Sequence, residues 1–183
     1  MWIAIAVVAV VVIWFITGYN GFIKQKNRVE EGFSTMDVYL KKRYDIIPNL
    51  VNTIKGYTKH EKDTLDAVVK ARNMAAASNS TSERVANENL VNGALGRLFA
   101  LAENYPDLKA DKQFLDLQTQ LSDIENDIAQ ARKYYNAVVK TFNTKCEMFP
   151  SNIIAGVFGF KRYNMFEVES EIERQNMKVS FDE

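Results

Sequence analysis

The chain has little of what most chemistry needs. Its 183 residues hold one cysteine, Cys146, one histidine, His60, and three prolines. A single cysteine excludes an intramolecular disulfide and a single histidine excludes a histidine-rich metal site, which together fit a reducing compartment. Basic and acidic side chains balance at 23 each, so no global positive field exists to attract nucleic acid. With only eight glycines as further breakers, long helices are the default. Tyr57 stands three residues before His60, so the Glu-x-x-His pair of a bridged metal site is missing. The run His60-Glu61-Lys62-Asp63-Thr64 offers no second histidine for a zinc-protease motif. Cys146 falls near the end of a long helical pattern, where the helix dipole disfavours a thiolate. No glycine-rich phosphate loop follows a strand pattern. The expectation is a non-enzyme with no cofactor, no metal and no catalytic residue.

What is present begins with a second absence. Residues 1–23 carry no charged side chain, and residues 2–16 are an unbroken apolar run in which ten of fifteen are Ile, Val or Phe. As a helix, 23 residues span about 34 Å, against a hydrocarbon core of about 30 Å. Those ten side chains favour insertion by roughly 3 to 6 kcal/mol in sum. A signal peptide would show basic residues before the run and a small-residue cleavage site after it, whereas Thr17, Gly18, Tyr19 and Asn20 follow here. The run therefore reads as a retained membrane anchor, with Ile13 within it and with Trp2, Trp14 and Tyr19 either placed for the interfaces or simply further apolar filler. Lys24, Lys26 and Arg28 come directly after it, so the positive-inside rule puts the rest of the chain in the cytoplasm and the short amino end outside.

Past the anchor, Val29, Phe33, Met36 and Leu40 continue a helical stripe, the pattern of a stalk. Lys42 would stand about 28 Å beyond Ile23 on a straight helix, many screening lengths from lipid. The triplet Lys41-Lys42-Arg43 therefore reads as a solvated face or an ion pair inside the helical body. Pro48 cannot donate to the Tyr44 carbonyl, and with no turn residues around it the sequence predicts a kink rather than a break. The same apolar face then runs on to about Ala77. Residues 78–82 are a polar break with Ser82 as N-cap, and a further helix is predicted over residues 83–103. Its Gly93 and Gly96 would admit a neighbouring backbone. Asn104, Tyr105, Pro106 and Asp107 end it.

The strongest pattern is residues 111–147. Phe114, Leu117, Leu121, Ile124, Ile128, Ala131, Tyr135, Val138 and Phe142 alternate steps of three and four, predicting a helix of roughly 55 Å with one apolar seam. Glu125, Arg132, Asn136 and Asn143 fall seven, four and seven apart and line up within about 40° beside that seam. Packed on a third helix they would need partners such as Asp45, Asn49 or Glu88. The stripe is either a ligand or peptide site or a network that fixes helix register. Residues 149–160 are apolar but broken by Pro150, Gly156 and Gly159 and too short to span a bilayer. They can cover the helical body, meet a partner or dip into the membrane interface, the first being the leading expectation. Residues 167–183 hold six acidic and two basic side chains and read as a solvated tail.

Residues 37–51 (DVYLKKRYDIIPNLV), Lys55-Gly56-Tyr57 and His60-Glu61 resemble the LemA family. So do residues 103–110 (ENYPDLKA), Ala131-Arg132 with Tyr135-Asn136, and Phe149-Pro150-Ser151-Asn152. The resemblance runs from about residue 24 to 167, departing at Gly32-Phe33 where the family more often has Ala-Trp. It implies a bacterial inner-membrane protein with one amino-terminal membrane helix and a cytoplasmic helical bundle, and it assigns no reaction. Pro48, Asn49, Tyr105, Pro106, Arg132, Tyr135, Asn136 and Pro150 are the positions it marks. The combined expectation is all-α: an anchor at 1–23, an elongated antiparallel up-and-down bundle at 24–166 with three long helices, one kinked at Pro48, or four, and a tail at 167–183. The expected partners are the lipid bilayer and either further copies of the chain or other membrane proteins, with no nucleic acid. The expected role is a scaffold, the alternative a regulatory or adaptor subunit for a membrane protease or signalling enzyme.

Overall fold

A computed structural model describes residues 1–58, 60–78 and 80–166, so the acidic tail expected at 167–183 lies outside the described residues. All regular structure among the described residues is helical: α1 (Trp2–Lys55), α2 (Lys62–Ala76), α3 (Thr81–Ala102), α4 (Pro106–Lys109), α5 (Lys112–Glu147) and α6 (Ser151–Phe158). The apolar run and the stalk pattern that follows it are one continuous helix. Along α1 the residues up to Ile13 are exposed, and the buried series is Phe22, Val29, Met36, Leu40, Arg43, Ile47, Leu50 and Ile54. The last six of these follow steps of four and three, one face of an α-helix.

Pro48 sits inside α1 without ending it. The Tyr44 carbonyl that a residue-48 N–H would have bonded instead accepts from Arg72 Nε of α2 at 3.1 Å. A neighbouring helix thus satisfies the group that proline orphans, which removes much of the penalty of an interior proline.

The apolar face predicted to continue to Ala77 is two helices, not one. Gly56 caps α1, the Tyr57 N–H bonds the Ile54 carbonyl at 2.9 Å, and the Thr58 hydroxyl bonds the same carbonyl at 3.2 Å. Glycine and a hydroxyl competing for a backbone acceptor together close the helix. Among the described residues four helices therefore exceed fourteen residues. The cap of α3 is Ser80 rather than Ser82: its hydroxyl accepts from the Glu83 N–H at 3.2 Å, the Ser-x-x-Glu spacing of a helix start.

In α5 the predicted seam is buried at Phe114, Leu117, Leu121, Ile128, Ala131, Tyr135 and Phe142. Val139 is fully buried where Val138 was expected, and Ile124 and Val138 are half-buried. A helix of 3.6 residues per turn drifts about 20° per heptad against a 3.5-residue repeat, so a straight helix presents a later residue by its fourth heptad. The contacts climb α1 as they descend α5: Phe22 on Phe142 (ring centres 5.9 Å apart), Arg43 on Glu125 (2.8 Å), Tyr57 on Asp111 (2.8 Å). Gly32 lies under Tyr134 and Tyr135, where a Cβ would meet ordinary contacts at 3.4 Å, so the alanine common in the family fits there too. α2 pairs with α3 and also touches α1, and α6 packs on α1 and α5.

Asp111 caps α5 by accepting from the Phe114 N–H at 2.8 Å and also accepts from the Tyr57 hydroxyl. Those bonds, the Phe114 amide first, hold its carboxyl below the usual carboxylate range. Because the folded value is depressed, the cap's contribution is complete above the unfolded carboxylate value and is lost as pH falls through the folded one. Asp111→Asn should lower stability at neutral pH and flatten that part of the acid limb of a melting-temperature-against-pH curve. An unchanged acid limb would show that the cap is not linked to protonation.

Candidate functional site

Three helices meet at Arg43. It follows Leu40 by three residues and precedes Ile47 by four, so the helix turns it inward while Lys41 and Lys42 remain exposed. Arg43 is completely buried and forms an ion pair with Glu88 of α3, itself 1 % exposed. A second guanidinium nitrogen bonds Glu125 of α5 and the Asn92 side-chain oxygen of α3, each at 2.8 Å. The Tyr44 hydroxyl donates to Glu88, and burial pushes that phenol up against the opposing pull of Arg43 and Arg72. The basic triplet is thus split by helix geometry into two solvated lysines and one buried pairing arginine.

The polar stripe of α5 divides between two partners. Asp45 and Asn49 are exposed, while Glu125 shares Arg43 with the expected Glu88. The two asparagines bind the irregular segment 160–166. Asn143 donates to the Tyr163 carbonyl and accepts from the Tyr163 N–H, both at 2.9 Å. Asn136 makes the same pair with Phe166, at 3.0 and 2.8 Å. Seven residues of helix rise about 10.5 Å and three residues of extended chain about 10 Å, so the two amides meet successive backbone groups in register. The Tyr135 hydroxyl adds a bond to the Asn164 carbonyl at 3.0 Å, and Arg132 lies over the Phe166 ring at 4.9 Å. Phe160 stacks on Phe22 at 4.7 Å and Tyr163 meets Phe142 edge-on at 5.1 Å. A groove of about 510 Å³ remains beside this strap, walled by Ser82, Val85 and Asn89 of α3.

The other marked positions are dispersed. Pro48, Asn49, Pro106 and Pro150 are exposed; Pro106 opens α4 and Pro150 precedes α6. Tyr105 donates to Glu61 at 3.1 Å, tying the α3–α4 corner to the start of α2. Trp2, Ile13, Tyr19, Lys24 and Arg28 are exposed along α1, Trp14 is half-buried, and Lys26 pairs with Glu30 at 3.7 Å. Among the described residues nothing lies within contact distance of a would-be Cβ at Gly93 or Gly96, so these do not make the close approach they predicted. Burial, and Glu147 after it, push the Cys146 thiol up, away from a reactive thiolate. Tyr44, Asn92 and the aromatics Phe160, Tyr163 and Phe166 are site residues that helical periodicity did not mark. The three-residue spacing of those aromatics was the available signal for the strap.

What this arrangement can do is hold an extended chain by its backbone and lock helices in register. Comparison with known proteins places it. Protein LemA of Metamycoplasma hominis is 28% identical over 165 residues, covering 88% of this chain and 74% of that protein. Magnetosome protein MamQ 2 of Paramagnetospirillum magneticum is 38% identical over 74 residues, and Magnetosome protein MamQ of Magnetospirillum gryphiswaldense 37% over 73. Each of those two alignments covers 40% of this chain and 27% of the relative, so the likeness to the magnetosome proteins is local. The LemA family model matches residues 32–181, most of the chain, and the chain belongs to the LemA family.

Proposed function

We propose that this protein is a non-enzymatic scaffold of the bacterial inner membrane, held by α1 with its short amino end outside and its helical body in the cytoplasm. The observation that carries this reading is the apolar stretch of α1: a mean hydropathy of 2.4 over eighteen residues, none of them buried by the rest of the chain. Side chains such as Ile3, Val8, Val10 and Ile13 are more than half exposed, a surface that only lipid covers cheaply. Lys24, Lys26 and Arg28 then support the inward orientation of the body.

Self-association belongs to the same reading. The outer face of α2 and α3 leaves Met74 and Leu90 41% and 50% exposed beside the open Gly93, a surface on which another helix can lie close. An elongated up-and-down bundle suits such side-by-side assembly. The mass of the full-length protein in mild detergent, compared with a form beginning at Val29, tests it. A discrete multimer that persists without the anchor is the expected result; two monomers would remove self-association from the proposal.

The adaptor alternative is favoured by the asparagine pair on the strap. Amides that read only backbone accept an extended segment of any sequence, and a partner's segment could take the place of residues 160–166.

A further inference from the structure

Helix α6 lies against the anchor, not against the far body. Ile154 packs at Gly18, where a Cβ would overlap it, Phe158 meets Tyr19 with ring centres 4.7 Å apart, and Lys145 lies over the Phe22 ring at 4.6 Å. Four residues, about 6 Å of helix, separate Ile154 from Phe158, yet their partners on α1 are adjacent. α6 therefore crosses α1 rather than running along it.

Its depth follows from its place on α1. Gly18 and Tyr19 lie within the uncharged run, six and five residues before Lys24, the first charged side chain after it. That puts them about 9 and 7.5 Å of helix on the membrane side of the first cation.

The face of α6 turned from the body is apolar. Ile153 and Val157, four residues apart on α6, are 45% and 64% exposed with Asn152 beside them, Phe149 ahead of the helix is 78% exposed, and Ile154 and Ala155 are buried on the inner side. Basic side chains stand near this level: Lys24 follows the uncharged run of α1, Lys145 lies over the Phe22 ring, and Lys140 and Lys145 border a groove with Phe149 and Pro150. Glu147 opposes them and is paired with Arg162 at 2.8 Å. An apolar face at 5 to 10 Å depth beneath a basic rim is how an in-plane helix sits in anionic lipid.

We infer that α6 is a second membrane contact, an in-plane helix whose Ile153 and Val157, with Phe149 just ahead of it, face the acyl boundary of the cytoplasmic leaflet while nearby basic side chains meet anionic headgroups. This rests on the membrane-anchor reading above. It also explains why so apolar a segment is interrupted by Pro150 and Gly159: the chain turns into and out of the interface within eight residues of helix.

The test uses the full chain with Trp2 and Trp14 changed to Phe, carrying one new tryptophan by Val7→Trp, Val157→Trp or Val38→Trp. Each protein is reconstituted in vesicles of phosphatidylcholine and phosphatidylglycerol, with or without bromine on the acyl chains, and exposed to aqueous iodide. Residue 157 is mostly exposed, so tryptophan there leaves the packing intact, which helical circular dichroism verifies. The expected result is bromine quenching at 7 and 157, deepest at 7, and iodide quenching only at 38. Iodide quenching at 157 without bromine quenching overturns the inference while leaving the anchor standing. Shielding at 157 from both quenchers assigns the face to a protein contact and overturns it equally. Loss of bromine quenching at position 7 as well would remove the anchor on which it depends.

Discussion

Arg43→Ala should lower the stability of the helical body by about 3 to 5 kcal/mol, because it leaves the Glu88 carboxylate buried with no cation. Against a total of roughly 5 to 15 kcal/mol for a domain, that is a large fraction. For a body of this size it amounts to a fall of about 10 °C in thermal midpoint, measurable by circular dichroism in mild detergent. Most of the loss comes from the Glu88 side of the cluster. Glu125 is 39% exposed, so water screens its pairing with Arg43 and its release costs little. Glu125→Gln should accordingly be mild, well under the effect of Glu88→Ala. The double change Arg43→Met with Glu88→Leu should recover most of the loss, since replacing a buried pair by apolar groups of similar volume is commonly neutral or better. If Arg43→Ala melts within about 1 kcal/mol of the parent, the cluster does not hold the three helices together, and the buried pairing is incidental.

The same cluster shows how much a sequence can reveal. Met36, Leu40, Arg43, Ile47, Leu50 and Ile54 step by four and three, so an inward Arg43 is legible once the basic triplet is read by helix angle rather than as a block. The orphaned Tyr44 carbonyl was deducible from Pro48 alone; the donor, Arg72, was not, because it comes from another helix 28 residues away. The break after Gly56 was hidden by apolar residues that keep helical spacing on both sides of it, Ile54 before and Leu65 after. On α5 the seam was visible and its register slipped by one residue at Val139, a consequence of straight-helix drift. The strap was least visible of all. Side-chain amides that bind backbone N–H and carbonyl groups demand nothing of the bound residues' side chains, so Tyr163 and Phe166 carry no pattern that names their partners.

That mode of recognition makes a specific prediction for the asparagines. Asn143→Ala removes both bonds to Tyr163 and Asn136→Ala both bonds to Phe166. At about 1 kcal/mol net per bond, each single change should loosen the strap by roughly 2 kcal/mol and the pair by roughly 4. Amide hydrogen exchange reads this directly, since the Tyr163 and Phe166 N–H groups are the donors. Exchange at Tyr163 should quicken roughly thirty-fold in Asn143→Ala, with Phe166 following in Asn136→Ala, and roughly a thousand-fold at both in the double variant if the strap opens as a unit. Amides of the α5 seam, such as Leu121 and Val139, should be unaffected, because their bonds lie within the helix. Gln at either position keeps the same donor and acceptor one methylene further out, where the roughly 10 Å match between helix rise and strand repeat no longer places them, and should rescue poorly. If the Tyr163 amide stays slow in Asn143→Ala, then Phe160 stacked on Phe22 and Tyr163 against Phe142 are what hold the strap, and its backbone pairing is a consequence of that packing rather than its cause.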